Sequence, residues 1–173
     1  MIYIEAPHPY RPAHSDEPSI FLAGGITACP DWQRDARMLL TGKPVVVLNP
    51  RRASYDPDRE DTLAQQVAWE HHHHHLHLAD LTLFWFPHRD PQVTVQAITL
   101  LELGTAIAEA QLRGRRITVG ADAHYPRRAD LELQLHHALP ELTLHPTLRD
   151  TVASALRTLS ATHDPRIMPR PGA

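Results

Sequence analysis

The run Leu81-Thr82-Leu83-Phe84-Trp85-Phe86 is apolar at all but one position and is too short for a helix. A strand with one wet face alternates, whereas a near-continuous apolar run has both faces covered, as in a parallel sheet. Ser19-Ile-Phe-Leu-Ala23 and Pro44-Val-Val-Val-Leu48 read the same way, and Arg116-Ile-Thr-Val-Gly120 with a weaker Glu141-Leu-Thr-Leu144 completes five strands. Helical patterns lie between them. Over 31–40, Trp32, Ala36 and Leu39 or Leu40 share a face before the stop at Gly42 and Pro44. Over 62–78, Leu63, Val67, Glu70 or His71, His74 and Leu78 form a stripe behind Asp61 as N-cap. Further helices are expected over 99–113, closed by Gly114, over 129–139, stopped by Pro140, and over 148–159. Strands alternating with helices predict βαβ units in a doubly wound α/β fold with helices on both faces.

The chain has 173 residues, one domain's length, with 42% apolar and 21% charged residues, so disordered and fibrous classes are excluded for its bulk. No apolar run approaches the roughly 18–20 residues of a spanning helix, and Met1 to Arg11 does not read as a signal peptide. A cytoplasmic location is the expectation. The single Cys29 rules out an internal disulfide and a cysteine-based zinc site. A net charge of −3 argues against a general nucleic-acid surface and points to small molecules as partners. We expect a proline-rich arm over 1–18 outside the core, one domain over 19–162 and a flexible tail over 163–173.

Doubly wound sheets bind ligands outside the carboxyl ends of their strands. That rule nominates Gly24-Gly25-Ile26-Thr27, Asn49-Pro50-Arg51-Arg52, the segment from Pro87 to Ile98, and Asp122 to Arg128. The third leads into Leu100-Leu101-Glu102-Leu103-Gly104, placing Glu102 in the first turn of a helix that begins at Thr99. A helix N-terminus favours the ionised carboxylate, which can attack an electron-poor carbon or accept sugar hydroxyls; the plain alternative is that Glu102 only complements the dipole. Gly104 in mid-helix suggests a close approach by a strand or ligand. Gly24-Gly25 lets a backbone come close to a ligand, although neither GxGxxG nor GxxxxGK[ST] is present. Arg51 and Arg52 read equally as an anion clamp or a solvated pair.

Taken together, Ile20-Phe-Leu-Ala-Gly-Gly-Ile26, Asp31-Trp32-Gln33, Asn49-Pro-Arg-Arg52, Gln66-Val-Ala-Trp-Glu70, Ala79-Asp80, Phe84-Trp-Phe-Pro87 and Leu100-Leu-Glu-Leu-Gly104 resemble the nucleoside 2-deoxyribosyltransferase-like family. That family contains transferases that exchange bases between nucleosides and N-glycosidases acting on nucleoside 5′-monophosphates. The resemblance implies a flavodoxin-like five-stranded sheet, assembly as homodimers or larger homo-oligomers, and no cofactor or metal. It implies Glu102 as nucleophile at the anomeric carbon, the retaining scheme of glycoside hydrolysis applied to an N-glycosidic bond. A second carboxylate serving the leaving base falls on Glu70, ten residues before Asp80; His72, eight before it, is the alternative register. Gly24, Gly25, Trp32, Asn49, Arg51 and Gln96 are the implied substrate-binding set. The transferases carry an acid where this chain has Gln96, six residues before Glu102, which shifts weight towards hydrolysis or an unusual base. A nucleotide-binding or sensing module without turnover is the alternative reading.

The run His71 to His75 with His77 offers i, i+4 pairs for a metal. Consecutive histidines point around a helix, so a solvated, partly protonated face is the favoured account. Asp80 is expected at the sheet edge away from the site in a structural role, and Trp85 and Phe86 in the core. Tyr125 is read as reaching a neighbouring subunit or as a surface loop.

Overall fold

A computed structural model describes residues 1–11, 17–53, 60–75, 78–88, 90 and 92–162. The elements run β1 (Ile2–Glu5), β2 (Ser19–Gly24), α1 (Trp32–Leu40), β3 (Val46–Asn49), α2 (Glu60–Glu70) continuing into a π-helical turn (His71–His75), β4 (Leu81–Phe86), α3 (Ala97–Arg113), β5 (Ile117–Ala121), α4 (Arg128–Ala138), β6 (Leu144–His145) and α5 (Leu148–Thr162). All strands pair in parallel in the order β1-β3-β2-β4-β5-β6. From β2 to β6 this is the flavodoxin-like order, and its switch point lies between β2 and β4.

The sheet has six strands rather than five. The sixth is β1, from the arm expected to lie outside the core, and it pairs with β3 at the edge. An edge strand needs only one hydrogen-bonded neighbour, so the polar and proline-rich sequence after it is tolerated. Ala6 and Tyr10, 3% and 5% exposed, extend the core beyond it. The expected tail at 163–173 lies outside the described residues.

Because successive strand residues face opposite sides, the core divides in two. Ile20, Leu22, Leu83 and Trp85 pack with Trp32 and Ala36 of α1 and Val152 and Ala155 of α5. Phe21, Ala23, Phe84 and Phe86 pack with Trp69 of α2, Leu103 and Ala106 of α3, and Leu131 and Leu135 of α4. Helices therefore cover both faces. Asp31 caps α1 by accepting from the Arg34 N–H, and Gly114 closes α3 in the left-handed region.

Asp80 pins the edge opposite the ligand-binding end. Its Oδ2 accepts from the N–H and the hydroxyl of the fully buried Ser19, each at 2.8 Å. Asp80→Ala leaves the Ser19 N–H without that acceptor, a loss expected to cost about 1–3 kcal/mol in denaturant unfolding. Activity at the distant edge should be retained.

Candidate active site

A cavity of about 500 Å³ opens at the carboxyl ends of β2, β3 and β4, the size of a small-molecule site. Gly24, Gly25, Glu70, Gln96 and Glu102 line it, together with Arg52, Gln66 and the apolar side chains of Phe21, Ile26, Leu63, Val67 and Ile98. Both expected carboxyl groups thus meet in one chamber, although they are more than thirty residues apart in sequence.

Helix α3 begins at Ala97, two residues earlier than the sequence suggested, so Glu102 stands in the second turn. Dipole support is concentrated in the first turn, and burial takes precedence at this position. Burial pushes the Glu102 carboxyl up from 4.5 to about 8, and the charge of nearby Glu70 adds to the rise. The group expected to be held ionised is therefore protonated at neutral pH. Burial also raises Glu70, but a hydrogen bond from Gln66 and the positive charge of Arg52 act in the opposite direction. The Gln66 amide organises this wall. Its Nε2 donates to Glu70 Oε1 and to the Pro50 carbonyl, each at 2.7 Å, while its Oε1 accepts from Arg52 Nε at 2.5 Å. Arg52 was expected from sequence only as half of an anion clamp or a solvated pair, and Gln66 was given no site role; the i, i+4 spacing of Gln66 and Glu70 on a helix is the signal that could have found Gln66.

The double glycine is needed for close packing of the protein on itself. A Cβ on Gly24 would lie 2.3 Å from the Trp85 carbonyl oxygen and 2.6 Å from the Trp32 ring. One on Gly25 would lie 2.6 Å from Cys29 Sγ and 2.7 Å from Gln96 Cδ. Among the described residues nothing lies within 4 Å of a Cβ added at Gly104, so no strand makes the close approach considered there.

Gln96 is 5% exposed and adopts φ 57°, a left-handed conformation that costs a non-glycine residue about 1 kcal/mol or more. Its Oε1 accepts from the Gly25 N–H at 3.2 Å and its Nε2 donates to the Pro87 carbonyl at 3.1 Å. The side chain so ties the loop after β2 to the loop after β4. Gln96→Ala is expected to cost about 1–3 kcal/mol in thermal unfolding. It should also weaken any ligand-induced rise in Tm, because both loops form the cavity.

Three expected binding residues support the chamber without lining it. Trp32 is buried beneath Gly24 and donates its indole N–H to the Gly25 carbonyl at 3.0 Å. Asn49 makes an Asx turn with Arg51 and donates to the Tyr3 hydroxyl at 2.7 Å. Arg51 straps the loop after β2: its Nη2 donates to the carbonyls of Ile26, Cys29 and Pro30, and its Nε to Gln33. Arg52 is the arginine of the pair that faces the cavity. Tyr125 is buried, packs on Phe86 and donates its hydroxyl to the Val95 carbonyl ahead of Gln96.

The solvated histidine face also needs correction. His71 and His72 are exposed, but His73 is 1% exposed, stacked 4.2 Å from Trp69. His73 Nδ1 donates to the Trp69 carbonyl at 2.7 Å, and Nε2 accepts from the Tyr10 N–H at 2.9 Å. Both ring nitrogens are thus engaged, and burial holds this imidazole below its usual pKa. Trp69 also donates its indole N–H to the His8 carbonyl at 2.8 Å. The N-terminal arm is fastened to the helix turn that presents Glu70. Among the described residues, no group of three or more His, Cys, Asp or Glu side chains could hold a metal ion.

The fold and the cavity define an α/β protein whose small-molecule chamber carries two carboxyl groups at the sheet's switch point. The family described as nucleoside 2-deoxyribosyltransferase like matches residues 17–114, more than half of the chain, and the chain belongs to that family. No curated protein matches it. A role in glycosyl transfer or cleavage on nucleosides follows from the family. Among the described residues no helix is long and apolar enough to cross a membrane.

Proposed function

We propose that the chain cleaves the N-glycosidic bond of a nucleoside or nucleoside 5′-monophosphate, with Glu102 as nucleophile and water or a second base as acceptor. The observation that carries this reading is that Glu102 and Glu70, both within the matched segment, line one cavity and that the charge of Glu70 acts on the Glu102 carboxyl. Positive charge develops on the sugar as the base departs, and a carboxylate next to the anomeric carbon stabilises that charge and then bonds to it. Glu70, fixed by Gln66, serves the departing base or the incoming acceptor. Gly24, Gly25 and Gln96 shape the sugar side of the chamber. A homo-oligomer is supported by Ile98, Leu101 and Leu112, which are 67%, 69% and 82% exposed on one side of α3, beginning at the cavity rim. A cytoplasmic setting suits such a substrate.

The test is incubation with ribo- and deoxyribonucleosides and their 5′-monophosphates, followed by chromatography for free base. Release that vanishes in Glu102→Ala is the expected result. Ligand-dependent thermal stabilisation with no release from any member would replace the enzyme with a binding module.

A further inference from the structure

The amide of Gln66 is held on two sides by groups that hydrogen-bond in only one sense. Gln66 is 7% exposed on α2, four residues before Glu70. Its Oε1 accepts from Arg52 Nε at 2.5 Å, and a guanidinium only donates. Its Nε2 donates to the Pro50 carbonyl at 2.7 Å, and a carbonyl only accepts. Turning the amide over would set donor against donor at Arg52 and acceptor against acceptor at Pro50, so the group it presents to Glu70 is an N–H. Glu70 Oε1 accepts that N–H at 2.7 Å. A neutral carboxyl carries its proton on one oxygen, and a proton on Oε1 would be driven against the amide hydrogen. When Glu70 is protonated, as its burial favours, the proton therefore lies on Oε2.

Resting on the N-glycosidase reading above, we propose that Gln66 is a positioning residue that reserves Oε2 of Glu70 for the proton of the reaction. In the first step a Glu102 carboxylate oxygen bonds to the anomeric carbon while the carbon–nitrogen bond breaks. The electron pair of that bond passes into the base, which takes the proton from Oε2. In the second step Oε2 takes a proton from water, the water oxygen bonds to the anomeric carbon, and the electron pair of the ester bond returns to Glu102. A nucleoside and water thus give a free base and a free sugar with no net proton. Arg52, from the segment after β3, and Glu102, from α3, are the other charged or titratable side chains lining the chamber among the described residues. They act on Glu70 in opposite senses: the guanidinium favours its ionised form, and an ionised Glu102 opposes it. Gln66 is the link between Arg52 and Oε1.

The test uses the full chain carrying Gln66→Met, which removes both ends of the amide. Gln66→Glu, which keeps the length and the pairing with Arg52, carries the same measurements if the methionine variant does not fold. NMR of carboxyl-labelled glutamate in a Glu102→Gln background follows Glu70 alone, its signal identified by its loss in Glu70→Gln. Removal of the amide is expected to raise the Glu70 midpoint by about one pH unit or more, the worth of a hydrogen bond to a charged group. With Glu102 intact, kcat for base release should fall about 10- to 100-fold while KM stays within about threefold. Adding Gln66→Met to Glu70→Gln should cost no more than about a further twofold, because the amide acts through Glu70. An unmoved Glu70 midpoint overturns the proposal, and so does the full loss of kcat recurring in the Glu70→Gln background. A lowered Tm with unchanged midpoint and kcat would make Gln66 a purely structural residue and overturn it too. If the wild-type chain releases no base from the nucleoside panel, the N-glycosidase reading fails, and the NMR midpoint by itself decides whether Gln66 directs the Glu70 proton.

Discussion

Glu102→Gln is expected to reduce base release by roughly 10⁴-fold or more, as loss of a covalent nucleophile does, while making the fold more resistant to heat at alkaline pH. The two effects share one cause. The native Glu102 carboxyl holds its proton up to about pH 8, against 4.5 for the free group. As the pH rises from 4.5 to 8, the unfolded chain releases this proton and the folded chain keeps it, so wild-type stability falls through that window and levels off above it. Glutamine fills nearly the same space and cannot ionise. The Tm advantage of the variant should be absent near pH 4.5, grow through neutrality and reach a plateau of several degrees above pH 8. A glutamine variant that is inactive but shows no pH-dependent gain would mean that Glu102 is not desolvated in the native state. A gain in stability with undiminished base release would mean that another group attacks the sugar.

The second large effect is on the pH dependence of kcat/KM. Attack requires the ionised form of Glu102, so below about pH 8 the rate should rise about tenfold per pH unit and then flatten. This limb is common to all substrates that pass through the glycosyl-enzyme. The alkaline side distinguishes them. A base that takes its proton from Glu70 requires Glu70 protonated while Glu102 is ionised, and its profile should fall again at high pH as Glu70, itself raised by burial, loses that proton. A cationic base needs no such proton, and its profile should remain flat above pH 8. Steady-state rates from pH 5.5 to 9.5 on both classes would decide between them. A profile that declines through pH 8 for every substrate would instead assign Glu102 the role of proton donor.

Much of the fold could be read in the sequence because it rests on local patterns. Leu81 to Phe86 is buried along its whole length, as a run without polar alternation requires. Asp31 and Gly114 mark helix ends through backbone hydrogen bonding and a left-handed turn, which depend on those residues alone. The edge strand Ile2–Glu5 was missed because a strand with a single neighbour carries too weak an apolar signal to stand out from a proline-rich arm. Residues in the candidate site divide in the same way. Glu102, Glu70, Gly24, Gly25 and Gln96 occupy loop and helix positions that the sheet rule and the family pattern mark. Arg51 and Arg52 are adjacent and chemically identical, and no sequence pattern could tell which would strap a loop and which would face the cavity.

The sequence by itself determined the alternation of buried strands and amphipathic helices, and with it the edge of the sheet where a ligand would sit, because apolar periodicity and turn chemistry act over a few residues. Only the tertiary structure decided the upward shift of the Glu102 and Glu70 carboxyl groups and the burial of His73. Those properties depend on how much water and which donors surround a side chain, and here the donors come from segments brought together by the sheet: Gln66 and Arg52 beside Glu70, and Tyr10 beside His73.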